Sequence, residues 1–371
     1  MEMKKYLTSF LLLLLISPAF SKVPARKVTI MADDARITWI GRTAVDEGSV
    51  SFDWTGTYAR ISFAGNSLSF RVSDTKKNYY NVWLDSEMDA APDKVLTVCG
   101  QDTTIVIFSE QEIRNKGPHK VIIQKRTEGE QGKTTVHTFT TNGEFMQAEA
   151  PKERIIEFIG DSYTCGYGTE ALHTERFSPE TENQNLTYAC ESARYFGADQ
   201  IVIAHSGMGI SRNYNGNLDG DHMPDRYTQT FDSDKSLRWE AAASGLKPDI
   251  TVIYLGTNDF SRNMQPSKRH FTRNYIKLLN EIKEYYGETH PILCVAPKHD
   301  RVMHEYINDA IQASGLENVH FVGLSAALHN DKEDMGADGH PNYSGHTKLA
   351  YGVIPYISTV TGWEMSGKEV K

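Results

Sequence analysis

The sequence predicts two domains of different fold class: an antiparallel β-sandwich or jelly roll, followed by a three-layer α/β domain with a parallel, doubly wound sheet. In the first half of the chain, apolar residues recur at every second position, and turn residues interrupt the pattern at short intervals. In the second half, nearly continuous apolar strands alternate with helical stretches. The pattern changes near residues 145–153, and a length of 371 residues suits two domains.

Short segments of the first half alternate between apolar and polar residues, as strands with one buried face do. Glycine, proline and asparagine residues separate these segments and favour turns. Many short strands with regular breaks are typical of a sandwich or jelly roll. We predict strands at residues 49–54, 58–63, 67–72, 80–84, 104–108, 120–124 and 136–139, and no long helix in this half.

The second half predicts a sheet that is covered by helices on both faces. Buried strands are expected at residues 154–159, 200–204, 249–255, 291–295 and 319–322. Helices are expected at residues 188–196, 235–244, 271–286, 302–313 and 344–358, the last one kinked by Pro355. A helix between consecutive strands implies that the strands run parallel, and such sheets bind ligands at the carboxyl ends of their strands.

The start of the chain has the layout of a secretory signal peptide. A basic start, an apolar run and small residues at the −3 and −1 positions of a cleavage site follow one another: Lys4 and Lys5, residues 10–16, then Ala19 and Ser21. The apolar run is too short to cross a bilayer. We therefore expect a signal peptide at residues 1–21, the sandwich at 22–147, the α/β domain at 148–371, and a secreted or periplasmic protein.

The composition excludes several classes of protein. The net charge of −9 is opposite in sign to that of proteins that bind the nucleic-acid backbone. No apolar run reaches the roughly 18–20 residues of a membrane span, so we expect no integral membrane segment. The sequence contains neither CxxC nor HExxH, which leaves a metal site without support. The four cysteines allow three disulfide pairings, but buried thiols are the favoured interpretation.

Groups that carry chemistry follow the predicted strands of the second half. The segment 160–168, Gly-Asp-Ser-Tyr-Thr-Cys-Gly-Tyr-Gly, comes directly after the first of these strands and places Ser162 at a strand-to-helix corner. Residues 205–210 follow the second strand and 256–259 the third, while residues 338–342 precede the last helix. Because parallel strands end at the same edge of a sheet, we expect these groups to meet there.

Together these groups supply what acyl transfer requires. The hydroxyl of Ser162 needs a base to become a nucleophile, and His340 can accept its proton and return it to the leaving alcohol. The tetrahedral intermediate carries an oxyanion that needs preorganised donors. We expect these donors to be the Ser162 N–H, the Gly207 N–H and the Asn258 amide, with Gly209 as the alternative to Gly207.

The blocks Gly160-Asp-Ser162, the region of Gly207, Gly256-Thr-Asn258-Asp259 and Asp338-Gly-His340-Pro341 resemble, in this order, the four blocks of the SGNH (GDSL-type) hydrolase superfamily. The longer segment 160–168 resembles carbohydrate esterase family 2, which pairs an N-terminal β-sandwich with an SGNH domain. The resemblance covers nearly all of the chain after the signal peptide. It implies a flavodoxin-like parallel sheet, deacetylation of plant cell-wall sugars, and no cofactor or metal.

The chain departs from the superfamily pattern in two ways, one that concerns the orientation of the catalytic His and one that concerns contact with the sugar. Many SGNH hydrolases carry Asp three residues before the catalytic His, whereas Asp338 is two before His340. The shorter spacing resembles family 2, in some members of which a backbone carbonyl orients the imidazole, so Asp338 is either the third member of a triad or not catalytic. The family often has Trp where this chain has Gly339. We expect Tyr167 to contact the substrate, although a packing role is equally open.

The sequence thus predicts a secreted serine esterase that removes O-acetyl groups from plant cell-wall polysaccharides or oligosaccharides of xylan or mannan type. One alternative is an esterase of short-chain acyl lipids or thioesters. Another is a catalytically inactive glycan-binding protein, which the intact Ser162, Asn258 and His340 argue against. The sandwich either binds glycan itself or only walls the active site, and the sequence leaves both open.

Overall fold

The structure, a computed structural model, describes residues 27–214, 216, 218, 220–297, 300–324, 330 and 332–371. The predicted signal peptide at residues 1–21 lies outside the described residues. None of the helices in these ranges is both long enough and apolar enough to cross a membrane. All four cysteines are free thiols, of which Cys99 is exposed and the other three are buried.

The first part of the described chain forms two antiparallel sheets. Their strands are β1 Val28–Met31, β2 Thr38–Ile40, β3 Ala44–Asp46, β4 Ser49–Phe52, β5 Tyr58–Ala64, β6 Leu68–Asp74, β7 Lys77–Leu84, β8 Lys94–Cys99, β9 Thr103–Phe108, β10 Pro118–Lys125, β11 Thr134–Thr141 and β12 Glu144–Met146. One sheet has the order β3-β4-β11-β6-β9 with β1 beside β11, and the other has the order β12-β5-β10-β7-β8 with β2 beside β5. The predicted antiparallel sandwich is confirmed.

The alternation in sequence is the reason why these segments form half-buried strands. In β6, Leu68, Phe70 and Val72 are buried, and Ser69 and Arg71 between them are not. Buried apolar side chains from both sheets pack against one another in a core inside the sandwich. The strands that the sequence did not predict are three to six residues long, and β8 leaves most of its side chains outside the core, so their alternation gives little signal.

The second part is a five-stranded sheet that is parallel throughout. Its strands are β13 Ile155–Gly160, β14 Asp199–Ala204, β15 Ile250–Tyr254, β16 Ile292–Ala296 and β17 Val319–Gly323, in the order β14-β13-β15-β16-β17. This order confirms the predicted flavodoxin-like sheet, because the first strand lies between the second and the third. Every residue of β13, β14, β15 and β16 is buried, which explains their continuous apolar sequence.

Helices cover both faces of this sheet. They are α1 Ser162–Cys165, α2 Tyr188–Tyr195, α3 Met223–Arg226, α4 Ala241–Ser244, α5 Lys268–Tyr286, α6 Arg301–Ser314 and α7 Tyr343–Thr361. The alternating residues of β13 show the two layers: Ile159 packs with α5 and α6, whereas Phe158 packs with α2 and α7. Pro355 lies inside α7, as predicted from the sequence.

The predicted helix at 235–244 is wrong except for its last turn, α4. Residues 228–239 fold back on themselves, with an antiparallel bridge between Gln229 and Arg238. The side chain of Trp239 is buried, and the guanidinium of Arg42 lies over its ring. This tertiary contact outweighs the helix propensity of the segment, as such contacts commonly do.

The sandwich and the parallel sheet share a buried interface. Trp54, Tyr58 and Trp83 of the sandwich belong to the same apolar core as Ile201 and Ile203 of β14, the edge strand of the sheet. The strand β2 lies beside β14 as well. An exposed edge strand invites unwanted pairing, so the sandwich protects this side of the parallel sheet.

Buried polar contacts also cross this interface. The guanidinium of Arg42 lies 3.4 Å from the Glu157 carboxylate, and neither side chain is exposed to solvent. Glu157 also accepts hydrogen bonds from the hydroxyls of Tyr227, Tyr286 and Thr251 at 2.9–3.1 Å. A buried ion pair of this kind is costly to break, because removal of Arg42 leaves the Glu157 carboxylate buried without its cation.

We predict that Arg42→Met lowers the free energy of unfolding by about 3–5 kcal/mol, because it leaves Glu157 buried without its cation. Denaturant unfolding of the purified variant measures this loss. The matched control is Arg71→Met, since Arg71 pairs with Asp102 on the exposed outer face of the sandwich, where solvent screens the pair. Equal stability of both variants would contradict the prediction.

Candidate active site

Ser162 stands at the corner between β13 and the short helix α1. Gly160 ends the strand, and a Cβ atom there would lie 1.9 Å from the Thr164 hydroxyl oxygen, so only glycine fits. Asp161 caps the helix by accepting a hydrogen bond from the Tyr163 N–H at 3.2 Å. The hydroxyl of Ser162 is thereby placed at the carboxyl end of a strand near the middle of the sheet, as predicted.

The structure brings His340 to Ser162. The distance from His340 Nε2 to Ser162 Oγ is 2.8 Å. His340 comes from the loop before α7, where its N–H donates to the Ala337 carbonyl at 3.0 Å and its carbonyl accepts from the Gly336 N–H at 2.7 Å. This is the geometry that a base needs in order to take the proton of the hydroxyl.

Two tyrosine rings flank the imidazole of His340. The ring of Tyr163 lies edge-on, with its centroid 5.5 Å away, and the ring of Tyr167 lies 4.3 Å away. Tyr167 also stacks on Phe177, at 3.9 Å between centroids and 17° between planes. Burial raises the pKa of Tyr167 to about 12, so its phenol stays neutral near pH 7. The predicted substrate contact Tyr167 thus lies directly beside the base.

Gly207 and Gly209 differ in whether their N–H groups already donate a hydrogen bond. The N–H of Gly209 donates to the Asn213 side chain at 3.0 Å, and a Cβ at Gly209 would lie 2.1 Å from the Arg212 carbonyl oxygen. Gly207 has a φ of 79°, its N–H makes no hydrogen bond to any described residue, and a Cβ there would meet the Tyr214 side chain at an ordinary contact distance of 3.7 Å. The geometry therefore favours Gly207 over Gly209 as an oxyanion donor.

Asn258 lies between the nucleophile corner and the loop of Gly207. Its side chain is almost fully buried, and Nδ2 donates to the Met208 carbonyl at 2.7 Å and to Asp161 Oδ2 at 3.2 Å. Both hydrogens of the amide are therefore engaged. An oxyanion would have to share the hydrogen that forms the longer of these bonds, the one to Asp161.

Asp259 fixes the segment that follows Gly209. Its buried carboxylate accepts the N–H groups of Ile210, Ser211 and Arg212 at 2.8–3.0 Å. Burial raises its pKa to about 6, although these hydrogen bonds act in the opposite direction. Asp259 is thus a structural acceptor that keeps the polypeptide behind Gly207 in place.

The carboxylate of Asp338 is directed to a neighbouring loop. Its two oxygens accept from Arg176 Nη1 at 2.7 Å and from the Phe177 N–H at 3.0 Å. These bonds lower the pKa of Asp338, and the nearby His340 adds a smaller effect in the same direction. Asp338 is therefore close to His340, while its hydrogen bonds hold the loop that carries Phe177.

Among the residues that the structure describes, one buried trio has the spacing of metal ligands. Glu128, Cys165 and Glu182 bring their ligand atoms within 4.8 Å of one another. Glu182 Oε1 already accepts from the Glu128 N–H, and Glu128 Oε2 from the Ser206 N–H. Burial raises the pKa of the Cys165 thiol far above its usual value, which opposes the thiolate that a metal requires. The trio fits a hydrogen-bonded network better than a metal site.

The site residues predicted from the sequence do not include Phe177, Arg176 or Glu128. Phe177 and Arg176 belong to a loop without periodicity, and Glu128 follows a sandwich strand far from every block of the second half. Only the tertiary fold brings them to the site, so the sequence of one chain contains no signal for them.

The fold is a flavodoxin-like parallel sheet with a hydrogen-bonded Ser162–His340 pair at the carboxyl ends of its strands, an arrangement that fits a hydrolase. Two family models match the chain: carbohydrate esterase 2 N-terminal at residues 39–151, and the GDSL-like lipase/acylhydrolase family at residues 158–348. The chain belongs to the GDSL-like lipase/acylhydrolase family, preceded by the N-terminal domain of carbohydrate esterase family 2. Membership of this family makes the protein a carboxylic ester hydrolase. The family resemblance inferred from the sequence is confirmed.

Similar proteins support the same grouping. Cellulase/esterase CelE of Acetivibrio thermocellus is 31% identical over 320 residues, which cover 84% of this chain but only 38% of that protein. An acetylxylan esterase/glucomannan deacetylase of Cellvibrio japonicus is 25% identical and covers 90% of this chain and 92% of its own length. The solved structure of a family two carbohydrate esterase from Clostridium thermocellum in complex with cellohexaose has 29% identity and a TM-score of 0.79, covering 88% of this chain and 100% of that one.

We predict that Asp338→Asn lowers kcat on an aryl acetate by less than about tenfold, because both oxygens of the carboxylate accept hydrogen bonds from the loop of Arg176 and Phe177. Steady-state kinetics of the purified variant measures the change. Arg176→Gln, which breaks the same contact from the other side, should have a similarly small effect. A loss near 10⁴-fold for Asp338→Asn alone would instead establish Asp338 as the third member of a triad.

Proposed function

We propose that the protein is a secreted or periplasmic serine esterase that removes O-acetyl groups from plant cell-wall polysaccharides or oligosaccharides of xylan or mannan type. The observation that carries the proposal is the 2.8 Å distance between Ser162 Oγ and His340 Nε2 at the carboxyl end of β13. Export is supported by the signal-peptide pattern at residues 1–21. The substrate class is supported by the relatives that are named acetylxylan esterases.

The geometry supports a two-step transfer through an acetyl-enzyme. Ser162 Oγ attacks the acetyl carbonyl carbon while His340 Nε2 takes the hydroxyl proton. The tetrahedral intermediate collapses, the C–O bond to the sugar breaks, and His340 returns the proton to the sugar oxygen. Water then attacks the acetyl-enzyme with His340 as base, which releases acetate and restores Ser162.

Three donors are proposed for the oxyanion. The N–H groups of Ser162 and Gly207 make no hydrogen bond to any described residue, so both remain available for a negatively charged oxygen. The Asn258 amide is the third donor and shares the hydrogen that it gives to Asp161. Such donors act most strongly when they are fixed before the charge develops, and Asp259 fixes the loop behind Gly207.

For the base we propose a Ser162–His340 dyad in which the flanking rings of Tyr163 and Tyr167 hold the imidazole. The contacts of Asp338 with Arg176 and Phe177 favour the dyad over the triad. For the acceptor sugar we propose Tyr167 and its stacking partner Phe177 as the apolar surface. Flat aromatic surfaces beside a nucleophile suit the apolar face of a sugar ring.

We predict that Ser162→Ala abolishes acetate release from acetylated xylan and mannan fragments, with a fall in kcat of about 10⁶-fold, because no other nucleophile replaces the hydroxyl. Release is measured on purified protein, and an unchanged melting temperature shows that the fold persists. The matched control is Ser236→Ala, an exposed serine of the same domain, which should keep full activity. Turnover by Ser162→Ala at the wild-type rate would refute the assignment of Ser162 as the nucleophile.

The same assay separates the rival functions. A wild-type protein that hydrolyses longer aryl esters faster than the acetate would indicate an esterase of acyl lipids or thioesters. Binding of glycans without any acetate release would indicate an inactive glycan-binding protein. Release from xylan and mannan fragments but not from pectin fragments is the pattern that the proposal expects.

We predict that Phe177→Ala raises KM for an acetylated oligosaccharide by about three- to tenfold, because the stack with Tyr167 loses one of its two rings. KM for a small aryl acetate should rise much less, since that substrate is too short to use the pair. Phe177→Tyr, which keeps a ring of the same shape, is the control and should restore the lower KM. An equal change for both substrates would count against an aromatic sugar site.

A further inference from the structure

A buried side chain of the sandwich reaches the loop at residues 205–210, the oxyanion loop, which carries Gly207. Glu128 follows β10, and its side chain is fully buried. Its Oε2 accepts a hydrogen bond from the Ser206 N–H at 2.7 Å. Ser206 directly precedes Gly207, the residue whose N–H is proposed to hold the oxyanion. A carboxylate of one domain thus holds the peptide next to a functional group of the other.

Several hydrogen bonds fix the position of Glu128, so its carboxyl group can in turn fix a neighbouring peptide. Its N–H donates to Glu182 Oε1 at 3.2 Å, and its carbonyl accepts from Lys125 Nζ at 2.9 Å. The thiol of Cys165, in the helix of the nucleophile, lies 3.5 Å from the Oε2 atom that binds Ser206. The carboxylate therefore touches both the helix that begins with Ser162 and the loop that carries Gly207, between which the substrate carbonyl would have to lie.

We propose that Glu128 is a positioning residue for the oxyanion hole: its carboxyl group fixes the Ser206–Gly207 peptide so that the Gly207 N–H is preorganised for the transition state. The proposal rests on the proposed esterase function, because Glu128 acts through Gly207 and touches no substrate. It gives the N-terminal domain a part in catalysis that does not depend on whether the sandwich binds glycan. Preorganisation of this kind affects the charged transition state more than the bound substrate.

The length of the side chain matters more than its charge under this proposal. Burial raises the pKa of Glu128, although His205 and the Ser206 N–H act in the opposite direction. Gln keeps the length and an oxygen acceptor for the Ser206 N–H, whereas Asp keeps the acidic group but is shorter by one methylene. The two substitutions therefore separate a positioning role from a purely electrostatic one.

The chain offers a control on the same strand. β14 leads into the oxyanion loop at its carboxyl end, and at its start Asp199 accepts a hydrogen bond from the Tyr58 hydroxyl of the sandwich at 2.8 Å. Tyr58→Phe removes a buried contact between the same two domains at the end of the strand that lies away from the site. It should lower stability without changing the position of Gly207.

The test is steady-state kinetics of Glu128→Asp, Glu128→Gln and Tyr58→Phe on an aryl acetate, at a temperature below every melting transition. We expect Glu128→Asp to lower kcat by roughly ten- to a hundredfold with KM within about threefold, which is less than the full loss of one oxyanion donor. Glu128→Gln should stay within about threefold of the wild type in both constants. Tyr58→Phe should lower the melting temperature and keep kcat.

Three results would overturn the proposal: a wild-type kcat for folded Glu128→Asp, equal losses for the Asp and Gln variants, or a kcat loss for Tyr58→Phe as large as that for Glu128→Asp. Failure of the proposed function gives a different pattern. In that case the wild type itself releases no acetate, or Ser162→Ala remains active, whatever the Glu128 variants do.

Discussion

The hydrogen bond between Ser162 and His340 joins two residues that are 178 positions apart in the sequence, and most features of the α/β domain serve to make it possible. Parallel strands impose the main constraint, because each returns to the same edge of the sheet before the chain turns. β13 delivers Ser162, β14 leads to Gly207 and β15 leads to Asn258 at that edge. The loop of His340 only has to reach over an edge that the sheet has already assembled.

The edge strand β14 makes the sandwich part of this arrangement. In a free-standing sheet, an edge strand has one neighbour and is the element most easily displaced. Here hydrogen bonds with the sandwich hold β14 at both ends. Tyr58 and Arg60 donate to Asp199 at the start of the strand. Just after its last residue, the Ser206 N–H donates to Glu128. A domain that appears in the sequence as an independent module is therefore bound, by buried polar contacts, to the loop that the chemistry needs.

The sequence was sufficient for the two fold classes and for bringing Ser162 and His340 to one edge of the sheet, because periodicity and the position of residues at strand ends depend on local patterns. The flavodoxin-like strand order was implied only by the resemblance to the SGNH superfamily. It failed at residues 235–244, where burial of Trp239 against Arg42 decides the conformation. It also missed Glu128 and Phe177, which reach the site only through contacts between distant segments. The choice between Gly207 and Gly209 needed the backbone as well, since both glycines satisfy the sequence pattern and only one has its N–H engaged.

The aromatic surface lies on the Ser162 side of the site, and position 339 carries no ring. Gly339 has a φ of 76°, in the left-handed region that a tryptophan adopts only under strain, and a Cβ there would contact nothing within 4 Å. Any side chain at this position would therefore have room for its Cβ but would strain the backbone. Tyr167, five residues after Ser162, instead lies against His340 and is supported by Phe177, whose N–H is bound by Asp338. The hydrogen bond that occupies Asp338 thus helps to hold the aromatic pair in place.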